Sequence, residues 1–274
     1  MRLFSFRSVQ SQPSTDRQPA GPPGSRCYAI GDVHGCLDQL TLLLGRIARD
    51  NAARPPVDKL YVVTVGDLID RGPDSKGVID LLMTRPLPSA SFVFLMGNHE
   101  ELFLRILDGD DSALPHWLEY GGFECALSYG ADPDMLVGRD GGREVRAHVP
   151  RHHAAFLRSF GDGFRFGDYL IVHAGIRPGR AVEQQSVEDM RWIRRDFIES
   201  DADHGVVVVH GHTIFEDPDE RPNRIGIDTG AYSTGRLTAI GLEGTERWFL
   251  TADGEPARHG EGLAAALARR GDLN

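Results

Sequence analysis

The chain has 274 residues, 41% of them hydrophobic and 26% charged, which is enough apolar material for one large domain or two small ones and excludes gross disorder. Thirty Lys and Arg against forty Asp and Glu leave a formal net charge of −10, which argues against a polyanion-binding surface and so against nucleic acid as a partner. Cys27, Cys36 and Cys125 form neither a disulfide framework nor a paired zinc motif and point to a reducing, cytoplasmic setting. No apolar run has the length of a signal peptide or of the ~18 residues of a membrane-spanning helix, so no membrane partner is expected.

Residues 1–25, with Pro13, Pro19, Pro22 and Pro23 and few aliphatic side chains, predict a disordered tail, and the body begins at Arg26. From there RCYAI (26–30) reads as a strand, and Leu37, Leu40, Leu43, Leu44 and Ile47 follow at helical spacing. LYVVTV (60–65) and FVFLM (92–96) are further strands, each followed by a helical pattern, Val78 to Met83 and then ELFLRIL. The stretch 108–165 reads as a helical insertion with Gly pairs at 121–122 and 141–142. Strand signals return at YLIV (169–172) and VVVV (206–209), then around 224–228, 236–242 and 246–250. With no helical pattern between those last runs, antiparallel pairing is expected among them. The folded body is set at 26–252, followed by a linker and an amphipathic helix (GLAAALARR, 262–270) within 253–274. The fold class is therefore mixed α/β, with helices outside a mixed sheet system.

Five strand signals run directly into polar clusters: GDVHG (31–35), GDLIDRG (66–72), GNHE (97–100), HAG (173–175) and HGHT (210–213). In open α/β sheets the crevice beyond the carboxyl ends of the strands is the usual place for a site, so these clusters can converge. Carboxylate, imidazole and amide oxygen without thiolate form a ligand set for a divalent ion such as manganese, iron or zinc. Helix capping accounts for Asp or Asn after a strand but not for His. Asp32 and His34 stand two apart, as do His210 and His212, so in an extended segment each pair would face one way and grip one ion. Cys36 has no basic partner in its motif and reads as a small apolar residue in the first turn of a helix.

Taken in order, GDVHG, GDLIDRG, GNHE, HAG and GHT resemble the phosphoprotein phosphatase family of calcineurin-like metallophosphoesterases, in particular its short bacterial and phage members of the lambda-phosphatase type. The resemblance spans about Arg26 to Leu242. It implies two mixed sheets packed as a sandwich between helices, and two divalent ions, Mn first and Fe, Zn or Ni as alternatives. It further implies Asp32 and His34 as ligands of the first ion, Asp67 as the bridge, and Asn98, His173 and His212 as ligands of the second, with His210 left beside the ligands or packed. His99 matches the proton donor, oriented by Asp70, with the carboxylate expected to raise the imidazole pKa. Arg71 matches a phosphate clamp, and Trp192-Ile193-Arg194 resembles the segment supplying a second arginine, Arg194. The inhibitor-contacting loop of the large eukaryotic members is not matched by GIDTGAYSTGRL (226–237), although Tyr232 is expected to line the cleft.

The chemistry implied is in-line attack on phosphorus by a hydroxide bridging the two ions, with the leaving group protonated by histidine. The first reading of substrate is a phosphorylated protein, making the chain a serine/threonine-type protein phosphatase. The alternative is a small phosphorylated substrate, with the chain a symmetrical dinucleoside polyphosphate hydrolase acting on diadenosine tetraphosphate.

Overall fold

The computed structural model describes residues 18–271. Two five-stranded sheets lie face to face. The first is built on β1 (Ser25–Ile30), β2 (Lys59–Thr64) and β3 (Ser91–Phe94), which run parallel, joined by α1 (Leu37–Ala53) and α2 (Ser75–Met83); α3 (Asn98–Leu107) follows β3. The second holds β4 (Gly163–Phe166), β5 (Tyr169–Val172), β6 (Val207–His210), β7 (Asp219–Glu220) and β8 (Arg224–Gly226) in the order β4-β5-β6-β8-β7. The chain then returns to the first sheet as β9 (Arg236–Glu243) and β10 (Glu246–Asp253), completing the order β10-β9-β1-β2-β3.

The alternation of side chains along each strand decides which layer they fill. On β1, Cys27 and Ala29 face the second sheet and, with Val63 of β2 and Ile240 of β9 beside them, meet Ile171, Val209 and Ile225 there. Tyr28 and Ile30 face the other way, onto Leu40, Leu43 and Ile47 of α1 and Phe103 of α3. All six β1 residues are buried, as suits a strand with β2 on one side and β9 on the other. The outer face of the second sheet is covered by Ile193 and Phe197, packed on Leu170, Val172 and Val208.

Register sets the site. Ile30 pairs with Thr64, and Thr64 with Phe94, so the carboxyl ends of β1, β2 and β3 finish in one row. In the second sheet β5, β6 and β8 are likewise parallel, with Ile171 opposite Val209 and Val209 opposite Ile225. Six loops thus open at one edge of the sandwich.

Two sequence expectations change. The run at 224–228 pairs parallel with β6, not antiparallel, because β7 is interposed as its antiparallel neighbour. Order begins before residue 25: Ala20 N–H donates to Asp168 at 2.9 Å and Gly21 N–H to the Gly244 carbonyl at 2.7 Å, so backbone hydrogen bonds hold a segment whose composition predicts a tail. The expected tail over 1–17, and residues 272–274, lie outside the described residues. The helical insertion packs into the body: Trp117, Phe123 and Leu136 are fully buried in the cluster that holds α1, α2 and α3.

Candidate metal centre

The strand-end loops carry an unusual backbone. Six non-glycine residues among those described have positive φ, and five belong to this edge: His34 (46°), Asp67 (49°), Asp70 (72°), Arg71 (67°) and His212 (63°). Such conformations cost about 1–2 kcal/mol each for a side-chain-bearing residue, so the surrounding contacts must impose them. The imposition is visible in the backbone, where Val33 N–H and His34 N–H both donate to the Asp67 carbonyl, at 3.1 and 2.9 Å.

His34 Nδ1 lies 2.8 Å from the Ile69 carbonyl and His173 Nδ1 lies 3.1 Å from the Val65 carbonyl. A carbonyl only accepts, so both imidazoles carry their proton on Nδ1 and turn an Nε2 lone pair inward. Nε2 of His34 stands 3.6 Å from Asp67 Oδ2, and Nε2 of His173 stands 3.4 Å from the same oxygen. His173 Nε2 also faces Asn98 Oδ1 at 3.0 Å and His212 Nδ1 at 3.1 Å. Acceptors thus crowd against acceptors, an arrangement that a cation relieves. Two groups of ligand atoms close enough to hold an ion result, His34–Asp67–His99 and Asp67–His173–His212, and Asp67 is common to both.

Asp32 joins through the backbone, with Oδ2 accepting from His212 N–H at 3.0 Å and Oδ1 buried without a partner. His212 Nε2 is likewise buried and unpartnered. Asp32 and His34 do not share an extended segment, since His34 sits in a left-handed turn; the two reach the centre by different routes. Gly211 is required for the approach, because a Cβ there would lie 1.9 Å from Asp32 Oδ1. These orphaned acceptors and neutral imidazoles fit divalent cations, with Asp32, His34, Asp67, Asn98, His173 and His212 as the residues that would hold them.

Burial governs the titration of the cluster. It pushes the pKa of His173 down to about 3 and that of His212 down further, and it drives Asp32 and Asp67 upward. Glu100, to which sequence reasoning gave no role, organises the loop. Its Oε2 accepts from Asp67 N–H at 2.8 Å and Gly97 N–H at 2.9 Å, and its Oε1 accepts from Leu68 N–H at 2.7 Å. Asp228, also missed, is buried beside Asp32 and is raised to about 7 by burial. The signals were present, in the last letter of GNHE and the acid of GIDTG, but neither spacing nor composition says what a carboxylate will bind.

His99 Nδ1 lies 2.6 Å from Asp70 Oδ2, the same oxygen that accepts Trp117 Nε1–H at 2.9 Å. That shared oxygen is the acceptor for both, so His99 turns Nε2 toward Asp67, 3.9 Å away. The expectation that Asp70 raises the His99 pKa is not met: burial is the dominant influence and holds it down at about 4. Arg71 folds over the Tyr232 ring, its guanidinium carbon 4.6 Å from the centroid, and donates to the Tyr232 hydroxyl. Its backbone is clamped by Gly121, where a Cβ would lie 2.5 Å from Arg71 N. Of three neighbouring arginines, Arg191 is tied to Asp162 and Glu101 and Arg195 to Glu199 at the surface. The Arg194 charge bears on Asp67, His99, His173 and His212, and that of Arg191 reaches His173 as well.

Other candidates stand apart. His210 donates from Nδ1 to the Gly211 carbonyl and packs on Phe197 and Phe215. Cys36 is buried against the His34 carbonyl, and burial pushes its thiol up to about 12, so it is no nucleophile. His152 and His153 lie beside Asp80 of α2, with His153 also bonded to the Tyr129 hydroxyl.

The arrangement has counterparts. A protein of Bacillus thuringiensis (strain Al Hakam) named asymmetrical bis(5'-nucleosyl)-tetraphosphatase PrpE is 27% identical over 230 residues, covering 77% of this chain and 88% of its own. One of the same name from Anoxybacillus flavithermus (strain DSM 21510 / WK1) is 28% identical over 233 residues, with the same coverage. A crystal structure described as that of a candidate diadenosine tetraphosphatase superposes with a TM-score of 0.59 at 21% identity, over 87% of this chain and all of the other, which speaks to the fold. These relatives carry the tetraphosphatase name, so the lambda-phosphatase type is not singled out within the broader resemblance. Among the described residues no helix is long and apolar enough to cross a membrane. The profile of calcineurin-like phosphoesterases matches residues 25–249, the same span whose parallel strands deliver Asp32, Asp67, Asn98, His173 and His212 to one edge, and the chain therefore belongs to the calcineurin-like phosphoesterase family.

Proposed function

We propose that the protein hydrolyses dinucleoside tetraphosphates at a dinuclear divalent-metal centre, cleaving them asymmetrically to a nucleoside monophosphate and a nucleoside triphosphate. The alternative substrate reading of the sequence is thus preferred to the phosphoprotein one, and the asymmetrical mode to the symmetrical. The observation that carries it is Asp67, whose carboxylate belongs to both ligand groups, in a chain whose relatives bear the asymmetrical tetraphosphatase name over 77% of its length.

Asp32, His34, Asp67, Asn98, His173 and His212 would hold the ions, Mn being the first choice and Fe, Zn or Ni the others. Divalent ions there supply Lewis-acid charge to a phosphoryl group and acidify water near neutral pH. Arg71 and Arg194 present permanent planar charge to the phosphoryl oxygens, and Asn98 can donate to them. Hydrolysis forms a bond from a water oxygen to phosphorus and breaks the bridging P–O bond, whose electron pair leaves with the departing nucleoside phosphate as an anion; His99 Nε2, left with a free lone pair by the Nδ1 contact to Asp70, can accept the proton that water gives up. Tyr232 holds the Arg71 guanidinium at the mouth of the site.

The test sets diadenosine tetraphosphate beside a phosphopeptide panel, with the Mn-loaded protein and product analysis. Specificity constants larger for the dinucleotide by at least about tenfold, with AMP and ATP as products, support the reading. Dominance of any phosphopeptide by orders of magnitude, or two ADP as products, overturns it in substrate or in mode.

A further inference from the structure

A cavity of about 940 Å³ opens beside the metal centre, between the start of α1 and the segment 254–258, and Arg71 forms part of its wall. Volumes of this order suit a nucleoside-sized ligand. Leu37, Leu42, Pro73, Pro256 and Ala257 line it, and Leu42 is a large apolar side chain left 49% exposed. These side chains match the flat faces of a nucleobase, while Asp38, Asp74, Glu124 and Glu255 on the same wall are acceptors for donors at its edge and Arg71 is a cation for an attached phosphate.

One polar group on the wall has an ion-pair neighbour, His259, but no hydrogen bond to its inner oxygen. Glu124 accepts from Gly260 N–H through Oε1 at 2.7 Å, but its Oε2 is buried with no hydrogen bond, 3.5 Å from His259 Nδ1. A buried acceptor left unmade costs about 1–3 kcal/mol, which a ligand donor would relieve.

We propose that this cavity is the nucleoside subsite: a purine nucleoside lies between Leu42 and Pro256, an amino or hydroxyl donor of it satisfies Glu124, and the polyphosphate runs past Arg71 to the metal centre. This rests on the dinucleotide reading. Arg71 supports it independently, since one guanidinium borders both the cavity and His99, with Nη2 3.5 Å from His99 Nε2.

The test uses the Mn-loaded full chain and two variants, Leu42→Glu at an exposed position and Glu124→Gln, which retains the Gly260 contact. The quantity read is the ratio of specificity constants for diadenosine tetraphosphate and p-nitrophenyl phosphate. A fall of about tenfold or more in both variants is the expected result. An unchanged ratio in both, with the unaltered protein still cleaving the dinucleotide efficiently, removes the subsite and leaves the hydrolase reading standing. Failure of the unaltered protein to prefer the dinucleotide removes both.

Discussion

Trp117 and Asp70, forty-seven residues apart, are joined by an indole hydrogen bond of 2.9 Å to the carboxylate oxygen that also orients His99. The helical insertion therefore takes part in the centre by fixing a side chain of the GDLIDRG loop. Trp117→Phe keeps an aromatic ring against Phe103 but deletes the donor and part of the buried ring volume. The expected result is a stability loss of about 2–3 kcal/mol in thermal melts and a clear fall in kcat with the metal content unchanged. An unaltered kcat would mean that Asp70 holds His99 without help.

Glu100 is the second internal brace. Replacing it by Gln turns an acceptor-only group into one whose amide nitrogen must meet the N–H groups of Asp67 and Gly97, or of Leu68. Donor against buried donor costs about 1–3 kcal/mol for each group left unsatisfied. Glu100→Gln should lower stability by about 2 kcal/mol and reduce metal occupancy, because the Asp67 loop loses its anchor. Denaturant unfolding and elemental analysis check the two halves separately, and full occupancy would detach Glu100 from the ligand loop.

The strand-end placement of Asp32, Asp67, Asn98, His173 and His212 was legible because glycine-bounded polar clusters follow apolar runs directly, and parallel register then aligns them without further information. What holds those side chains was not legible. Glu100 meets the backbone 33 residues away, and Asp32 reaches His212 across 180. The left-handed conformations of His34, Asp67, Asp70, Arg71 and His212 run against their residue types and are imposed by tertiary contacts. Arg194 was distinguishable from Arg191 and Arg195 only when the acidic partners of those two, Asp162, Glu101 and Glu199, were in place.

Gly211 gives a steric test of the centre that leaves every candidate ligand unsubstituted. In Gly211→Ala the new methyl would stand 1.9 Å from Asp32 Oδ1, so the carboxylate must turn or the loops must part. Metal affinity is expected to fall by about tenfold or more, as for other substitutions that disturb ligand orientation. Isothermal titration with Mn measures it, and wild-type affinity would place Asp32 outside the ion cage.

Metal binding should release protons and strengthen as pH rises. Burial raises Asp32 and Asp67 above the ordinary carboxylate value, so without metal they retain protons in a range where exposed carboxylates have none. Ions bind the deprotonated forms and displace those protons. The histidines act differently: burial keeps His173 down at about 3, so at pH 6 it is already neutral and releases nothing. The sign is therefore set by the carboxylates, and protons come off rather than on. Affinity climbs with pH until the raised carboxylates are ionised in the free protein, and it levels off above that point. Calorimetry at pH 6 and pH 8, each in two buffers of different ionisation enthalpy, measures the proton count directly. The release should be greater at pH 6, and proton uptake at either pH would mean that the binding ligands are not these buried acids.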